Sequence, residues 1–122
     1  MIGSSFLADT NIFIYLLNKE SIIEQFLESE WYYSFITRIE LLSKQGITEK
    51  EIETVNGVLT ACTYLAHSEP IDELTINLKR KYKIKLPDAI IAATALHLQL
   101  PLLTVDKGFT KVNEIDVVLL YL

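Results

Sequence analysis

The sequence contains few of the residues that define specialised classes of small protein. Its 122 residues include one cysteine, four glycines and three prolines. A single cysteine excludes a disulfide-stabilised scaffold, and the small number of glycines and prolines excludes collagen-like and low-complexity chains. The sequence also lacks the roughly 20 consecutive apolar residues that a membrane-spanning helix requires. These absences favour an ordinary globular protein.

The beginning of the sequence has no features of a secretory signal, because it has neither a basic start nor a long apolar stretch. We therefore expect a soluble protein of the cytoplasm. Half of the residues are hydrophobic (50%), which excludes intrinsic disorder. The length is typical of one domain, and no repeat or linker divides the chain. We predict a single domain over residues 1–122.

The charge of the chain is negative overall, but its basic residues are clustered. The net charge is −5, and an acidic protein is a poor non-specific binder of nucleic acid. Five of the eleven basic residues nevertheless lie in the run Lys79–Lys85 (KRKYKIK). This run suits a patch that contacts phosphates, or equally a solvated helix end whose bases complement the helix dipole. The sequence does not distinguish these two interpretations.

Short apolar segments alternate with segments of helical periodicity along the whole chain. This alternation predicts an α/β fold in which helices cover a mostly parallel sheet. The predicted strands are Ser4–Ala8, Trp31–Phe35, Thr63–Ala66, Pro101–Val105 and Ile115–Leu120. The predicted helices are Asn11–Asn18, Ser21–Ser29, Thr37–Lys44 with Gly46 as its C-cap, Thr48–Ala61, Ile71–Tyr82, the nearly all-apolar and therefore buried Asp88–Leu98, and a short one at Phe109–Asn113.

Four acidic residues lie where the predicted strands and helices meet. Asp9 and Asp106 each follow an apolar strand, and either could simply cap the next helix. Glu40 could form a capping box with Thr37, and Asp88 suits the first turn of its helix. However, ligands of parallel sheets bind beyond the carboxyl ends of the strands. The same four acids could therefore converge on one site.

A cluster of carboxylates at one edge of a sheet points to a bound cation. Carboxylates held close together repel one another and lose hydration, and a divalent cation relieves both costs. Mg²⁺ prefers oxygen ligands, and the chain has no cluster of histidines and cysteines that would favour Zn²⁺. Carboxylates with Mg²⁺ suit the hydrolysis of phosphodiesters. The acids therefore favour a metal-dependent phosphodiesterase.

Four segments carry a resemblance to a known family. They are FLADTN (Phe6–Asn11), TRIEL (Thr37–Leu41), LPDAIIAATA (Leu86–Ala95) and LLTVDKGF (Leu102–Phe109). No single segment is diagnostic, but the four occur in order and span essentially the whole chain. With this set, the sequence resembles PIN domains, and specifically the VapC-type toxin nucleases.

The resemblance implies a fold and a chemistry. The implied fold is a Rossmann-like, three-layer α/β/α sandwich, and the implied activity is that of an endoribonuclease that depends on Mg²⁺ or Mn²⁺. The acid cluster would be Asp9, Glu40, Asp88 and Asp106, with Asp9, Asp88 and Asp106 as metal ligands and Asn11 and Thr104 in support. Some relatives carry another acid after Asp106, where this chain has Lys107 and Gly108, so the number of metal ions stays open.

The resemblance also implies partners. VapC-like toxins are generally homodimers that a small antitoxin inhibits, and an acidic site would attract a basic antitoxin segment. The substrate would be RNA. The candidate residues for contacts with the RNA are Arg38, Lys79, Arg80, Lys81, Lys83 and Lys85.

Two other classes of function are weaker interpretations of the same residues. A signalling receiver domain also places acids and Mg²⁺ at the ends of parallel strands, but its design requires paired acids after the first strand and a lysine after the last. This sequence has ADT after the first strand and nothing basic after the last. A non-catalytic RNA- or nucleotide-binding module is the other class, but the chain has no glycine-rich phosphate loop.

Overall fold

Five short parallel strands form the centre of the fold. The computed structural model describes residues 4–121, and the ends of the predicted domain, residues 1–3 and 122, lie outside the described residues. The sheet has the order β3-β2-β1-β4-β5, and every pairing within it is parallel. The strands are β1 (Ser5–Ala8), β2 (Glu30–Ser34), β3 (Thr63–Leu65), β4 (Leu102–Thr104) and β5 (Val117–Leu119).

Helices cover both faces of this sheet. Alternate residues of a strand face opposite ways, and in β1 Phe6 and Ala8 enter one buried cluster while Leu7 enters another. The helices are α1 (Thr10–Leu17), α2 (Phe35–Leu42), α3 (Glu49–Thr60), α4 (Glu69–Lys81) and α5 (Leu86–Leu98), with 3₁₀ segments at Ser21–Phe26 and Lys107–Lys111. The first cluster contains residues of α1 and α3, and the second contains residues of α4 and α5. The predicted three-layer α/β/α fold is therefore confirmed.

Local signals in the sequence account for the ends of most helices. Thr48 and Glu51 form a capping box at the start of α3. Pro87 lies in the first turn of α5, where its fixed φ suits a helix. The same helix ends at Gln99, which has a left-handed conformation with φ of 56°. Six residues in the middle of α5 are buried, as its composition predicts: Ala89, Ile91, Ala92, Ala93, Thr94 and Ala95.

Helix α2 differs from its prediction in both its start and its cap. It begins at Phe35 rather than Thr37, because the hydroxyl of Ser34 accepts the hydrogen bond of the Ile36 amide and caps the helix. The capping box predicted for Thr37 and Glu40 is therefore wrong, since both residues lie inside the helix. The helix ends at Leu42 with Ser43 as its C-cap. The prediction of a C-cap at residue 46 is also wrong, because that glycine lies in the following loop.

Two further differences are smaller. The segment predicted as a helix over Ser21–Ser29 is a 3₁₀ helix that ends at Phe26. The short helix predicted at Phe109–Asn113 is a 3₁₀ segment that begins at Lys107, because Asp106 caps it. Among residues 4–121, no helix is both long and apolar enough to cross a membrane.

Candidate active site

The parallel sheet places all four predicted acids at one edge. Asp9 follows β1 directly, and Asp106 lies just beyond the end of β4. Glu40 belongs to α2, which follows β2, and Asp88 belongs to the first turn of α5. Because the strands are parallel, their carboxyl ends share this edge. The order of the strands therefore brings together residues that lie up to 97 positions apart in the sequence.

Asp9 is the most deeply placed of the four acids. It is only 5% exposed, and it is the N-cap of α1, since its Oδ1 accepts the hydrogen bond of the Thr10 amide at 2.8 Å. Burial raises its pKa to about 6, and the charges of Asp88 and Asp106 add to this rise while hydrogen bonds from Thr104 and Thr10 oppose it. Asp9 therefore caps α1, and its burial beside other carboxylates disfavours the charged form of its side chain.

Thr104 connects two of the acids. Its side chain is fully buried, and its hydroxyl donates to Oδ2 of Asp9 at 2.8 Å while it accepts from the amide of Asp106 at 3.0 Å. The carboxylate of Asp106 in turn accepts the hydrogen bond of the Gly108 amide at 2.8 Å. A methyl group on Gly108 would lie only 3.0 Å from Oδ1 of Asp106. Thr104 therefore holds the backbone of Asp106, and the Gly108 amide holds its carboxylate.

Glu40 is joined to the site through a pair of threonine hydroxyls. The hydroxyl of Thr10 donates to Oε1 of Glu40 at 2.7 Å, and the hydroxyl of Thr37 lies 2.9 Å from that of Thr10. Because the single proton of Thr10 is given to Glu40, Thr37 acts as the donor to Thr10. Thr10 was not predicted to belong to the site. In the sequence, its position between Asp9 and Asn11 was the only indication that Thr10 could contact the acids.

Asp88 is half-buried, and it experiences charges of both signs. Burial raises its pKa, and the negative charges of Asp106 and Glu40 raise it further. Lys85 and Lys111 act in the opposite direction. Together with the influence of Asp88 and Asp106 on Asp9, these interactions show that the four acids form one electrostatic cluster.

The donor set of this cluster fits a divalent cation. All four side chains offer carboxylate oxygens, which are the ligands that Mg²⁺ and Mn²⁺ prefer. Within residues 4–121, no three histidine, cysteine, aspartate or glutamate side chains are grouped tightly enough to enclose a metal ion as they stand. A Mg²⁺ site usually takes only one or two protein carboxylates, with water and phosphate oxygens as the other ligands. The spacing is therefore compatible with such a site.

The other predicted residues occupy different surroundings. Asn11 is exposed, and no hydrogen bond joins it to the four acids. Arg38 is exposed on α2 and is absent from the ion pairs of the described residues. The structure therefore supports a local role for Thr104 more directly than for either of these two residues.

The basic run Lys79–Lys85 is divided by the structure. The ammonium of Lys79 donates to the backbone carbonyl of Ile84 at 2.6 Å, and Lys81 pairs with Glu114 at 3.0 Å. Arg80 is exposed on α4. Only Lys83 and Lys85 line a cleft that also contains Asp88 and Asp106.

A second concave surface lies on the other face of the sheet. It is a groove of about 570 Å³ between α1, α2 and α3, and Glu40 lies among its lining residues. Most of its wall is apolar and comes from Ile14, Leu17, Leu41, Ile47 and Val55. We refer to these residues with Glu40 as the α1–α3 groove.

We expect replacement of Thr104 by valine to impair the site without changing its charge. Valine keeps the shape of threonine but leaves Oδ2 of Asp9 and the amide of Asp106 without their partner, which costs about 1–3 kcal/mol of folding stability. Any activity that depends on a metal bound at these acids should fall by about 10- to 100-fold, as for other residues that orient ligands. The measurements are denaturant unfolding and, for the activity that the sequence predicts, the rate of RNA cleavage.

The matched control is Thr94→Val. Thr94 is also fully buried, but its hydroxyl donates only to the carbonyl of Ile90 within its own helix. This control should keep its activity. Equal losses of activity in the two variants would contradict a specific role for Thr104.

Comparison with known proteins identifies relatives for nearly the whole chain. A profile of the PIN domain matches residues 6–115. The chain is similar to a chain of a toxin–antitoxin complex from Klebsiella pneumoniae, with 34% identity, a TM-score of 0.82, and coverage of 95% of this chain and 98% of that one. It is also similar to a chain of DNA-bound VapBC from Salmonella typhimurium, with 24% identity, a TM-score of 0.80, and coverage of 97% and 98%. No curated protein sequence matches significantly.

Proposed function

The chain belongs to the PIN domain family, and on this basis we propose that it is a metal-dependent endoribonuclease acting as the toxin of a toxin–antitoxin pair. The family match covers residues 6–115, and it confirms the family resemblance indicated by the sequence motifs. The observation that carries the proposal is the cluster of four acids at the carboxyl edge of the sheet, with a buried Asp9 whose pKa is about 6. Carboxyl groups whose pKa is raised in this way are typical of functional sites.

We propose that three aspartates hold the cation, one or two of them as direct ligands and the rest through bound water. Asp9, Asp88 and Asp106 influence one another electrostatically, and each carboxylate oxygen of Asp9 keeps a lone pair beyond its one hydrogen bond. A divalent cation bound there would activate water and neutralise charge on the phosphate. Thr104 and the Gly108 amide would hold two of these carboxylates in place.

Hydrolysis of the RNA backbone also requires a group that accepts a proton. The oxygen of water bonds to phosphorus, one ester P–O bond breaks, and the released oxygen takes a proton from solvent. We assign the proton of the attacking water to Glu40. The Oε1 atom of Glu40 accepts the hydrogen bond of the Thr10 hydroxyl, whereas its Oε2 atom has no hydrogen bond to the described residues. Glu40 is also exposed.

The α1–α3 groove is our candidate surface for the antitoxin. The related chain from Klebsiella pneumoniae comes from a toxin–antitoxin complex, and an inhibitor of this chain would need to reach the acids. The groove combines its five apolar lining residues with polar and charged ones, which are Asn18, Glu40, Lys44, Thr48, Lys50, Glu51 and Thr54. It therefore suits an amphipathic segment that carries a basic side chain toward the acid cluster.

We further propose that the protein is a homodimer built through apolar helix faces. Several large apolar side chains are exposed, including Leu27, Ile39, Ile76 and Leu86, which is typical of an interaction surface when such residues are contiguous. Light scattering at high micromolar concentration should give twice the mass of the chain. A monomeric mass under these conditions would contradict the dimer.

The test of the proposed function is to sequence RNA ends in cells that briefly express the protein. Wild type should generate new ends at a defined set of sites, and the Asp9→Asn variant, expressed to the same level, should not. The positions of these ends would identify the RNA that is cut. Identical sets of ends in both samples would contradict the assignment of this site as a ribonuclease centre.

A further inference from the structure

The cleft beside the acid cluster contains a third lysine that the basic run does not include. The cleft has a volume of about 260 Å³, and its charged lining residues are Lys83, Lys85, Lys111, Asp88 and Asp106. Lys111 ends the 3₁₀ segment that follows β4, so it is brought to the cleft by the fold and not by the sequence. We refer to the three lysines as the lysine cleft.

The ammonium of Lys111 is fixed at this position. It donates a hydrogen bond to the backbone carbonyl of Lys83, 28 residues away in the sequence. An ammonium has three donors, so two remain for a ligand. Lys111 and Lys85 also both act on the charge of Asp88. The lysine cleft therefore adjoins the proposed metal ligands directly.

The lysines of this cleft are not used in ion pairs. Within residues 4–121, the lysines that pair with carboxylates are Lys44 and Lys81, at other places on the surface. If Asp88 and Asp106 bind a cation, their charges are neutralised, and the three lysines form an uncompensated positive surface. A cluster of lysine side chains without ion-pair partners attracts an anionic ligand.

The size and lining of the cleft restrict the ligand to a small anion. Its volume lies below the roughly 300 Å³ at which pockets begin to hold whole drug-sized molecules. Its one aromatic residue, Phe109, is buried, so the cleft offers no ring on which a nucleobase could stack. A phosphate group with part of its sugar fits these conditions better than a base does.

We propose that the lysine cleft binds the phosphodiester next to the one that is cut, so that the enzyme recognises chains with consecutive phosphates. This inference rests on the proposed nuclease function and deepens it. Lys83, Lys85 and Lys111 position the substrate, whereas Lys79 and Lys81 do not line the cleft. A diester without a neighbouring phosphate gains nothing from the cleft.

The kinetic test compares two substrates in Lys111→Ala and Lys83→Ala. On an oligoribonucleotide, each variant should raise KM roughly tenfold, the effect expected when a hydrogen bond to a charged group is lost, and should leave kcat within about twofold. On bis(4-nitrophenyl) phosphate, which has a single phosphate, Lys83→Ala should match wild type. Lys111→Ala also removes a charge that acts on Asp88, so its loss on this substrate should be clearly smaller than its loss on the oligoribonucleotide. The control is Lys19→Ala, which removes the same charge from an exposed position after α1.

Two further variants separate binding from damage to the fold. Lys83→Ala keeps the backbone carbonyl that holds Lys111, and Lys111→Arg keeps the positive charge, so the arginine variant should retain most of the affinity for RNA. An equal loss of activity on both substrates would show damage to the acid site and would overturn the proposal. A loss in Lys19→Ala as large as that in Lys111→Ala would overturn it as well.

A binding measurement tests the cleft even if the chain cuts no RNA. The affinity for a fluorescent single-stranded oligoribonucleotide is measured over a range of NaCl concentrations in the presence of Ca²⁺, which should neutralise the acids without supporting turnover. Each lysine that contacts a phosphate contributes about 0.7 to the slope of log affinity against log salt, so Lys111→Ala and Lys83→Ala should each lower the slope by about this amount. Slopes equal to that of wild type would overturn the proposal independently of the nuclease assignment.

Discussion

Replacing Asp9 by asparagine is expected to reduce RNA cleavage by at least about a hundredfold while leaving the fold intact. Residues that merely orient metal ligands contribute about 10- to 100-fold, and the loss of a ligand itself should cost no less. Asparagine preserves the size of the side chain, and its carbonyl can still accept the hydrogen bond of the Thr10 amide. Circular dichroism and a cleavage assay measure the two parts of this prediction.

Asp88→Asn should give the same loss of activity, because Asp88 belongs to the same electrostatic cluster. The matched control is Asp116→Asn, which removes a charge from an exposed aspartate far from the acids in the fold, just before β5. The control should cleave RNA at the rate of wild type. Cleavage by Asp9→Asn or Asp88→Asn at that rate would remove the corresponding acid from the proposed site.

The pKa of Asp9 also predicts how stability depends on pH in the absence of metal. The pKa is about 6 in the folded protein, above the ordinary aspartate value of 3.8, so the folded state binds the proton more tightly than the unfolded state does. Stability is therefore present below pH 4 and is lost as the pH rises through 6. The loss is about 3 kcal/mol at most.

Asparagine does not titrate, so Asp9→Asn should not lose this stability as the pH rises. The variant should therefore melt at a higher temperature than wild type in EDTA at pH 7.5. The measurement is the difference in Tm between the two proteins at pH 4.5 and at pH 7.5, where other titrating groups contribute equally to both. The difference should grow with pH. A Tm difference that stays constant between pH 4.5 and pH 7.5 would contradict a raised pKa for Asp9.

The spacing of apolar segments was sufficient to predict the parallel sheet and the edge at which the acids meet. That prediction succeeds because each strand ends where an acid or a helix begins, as at Asp9 and Asp106. The start of α2 was not predictable from the TRIEL segment, since the capping residue, Ser34, also reads as the end of an aromatic strand. Periodicity describes one segment at a time, whereas this helix start depends on a single hydroxyl.

Contacts between distant parts of the chain were beyond the sequence analysis. The bond from Thr104 to Asp9 joins residues 95 positions apart, and only the resemblance to the family pointed to Thr104. Lys111 had no signal in the sequence, because it lies outside the basic run and reaches the cleft through the 3₁₀ segment. The same run contains lysines with purely structural contacts, so charge density alone could not select the residues of the cleft.

Mg²⁺ or Mn²⁺ should stabilise the wild-type protein and should be required for its activity. A ligand of the native state at a hundred times its Kd adds about 2.7 kcal/mol of stability, which corresponds to a rise in Tm of roughly 10 °C for a domain of this size. Acid pH should weaken both effects, since protons compete for the carboxylates. The measurement is Tm against metal concentration at pH 7.5 and at pH 5.

Two comparisons make this prediction specific. Asp9→Asn should show almost no metal-dependent rise in Tm, whereas Asp116→Asn should behave as wild type does. Ca²⁺ should raise the Tm of wild type but support little turnover, because its larger size and looser geometry do not suit an in-line attack. An equal rise in Asp9→Asn would place the metal at another site.

The most direct test of the account is the cleavage of one defined oligoribonucleotide by wild type and Asp9→Asn purified in parallel. The account predicts that wild type cuts the RNA in Mn²⁺ or Mg²⁺, that excess EDTA abolishes this cleavage, and that the variant is inactive under both conditions. The parallel purification controls for contaminating ribonucleases. Full cleavage by wild type in EDTA, with the variant inactive, would contradict the role of the metal, and equal cleavage by both proteins would contradict the site itself.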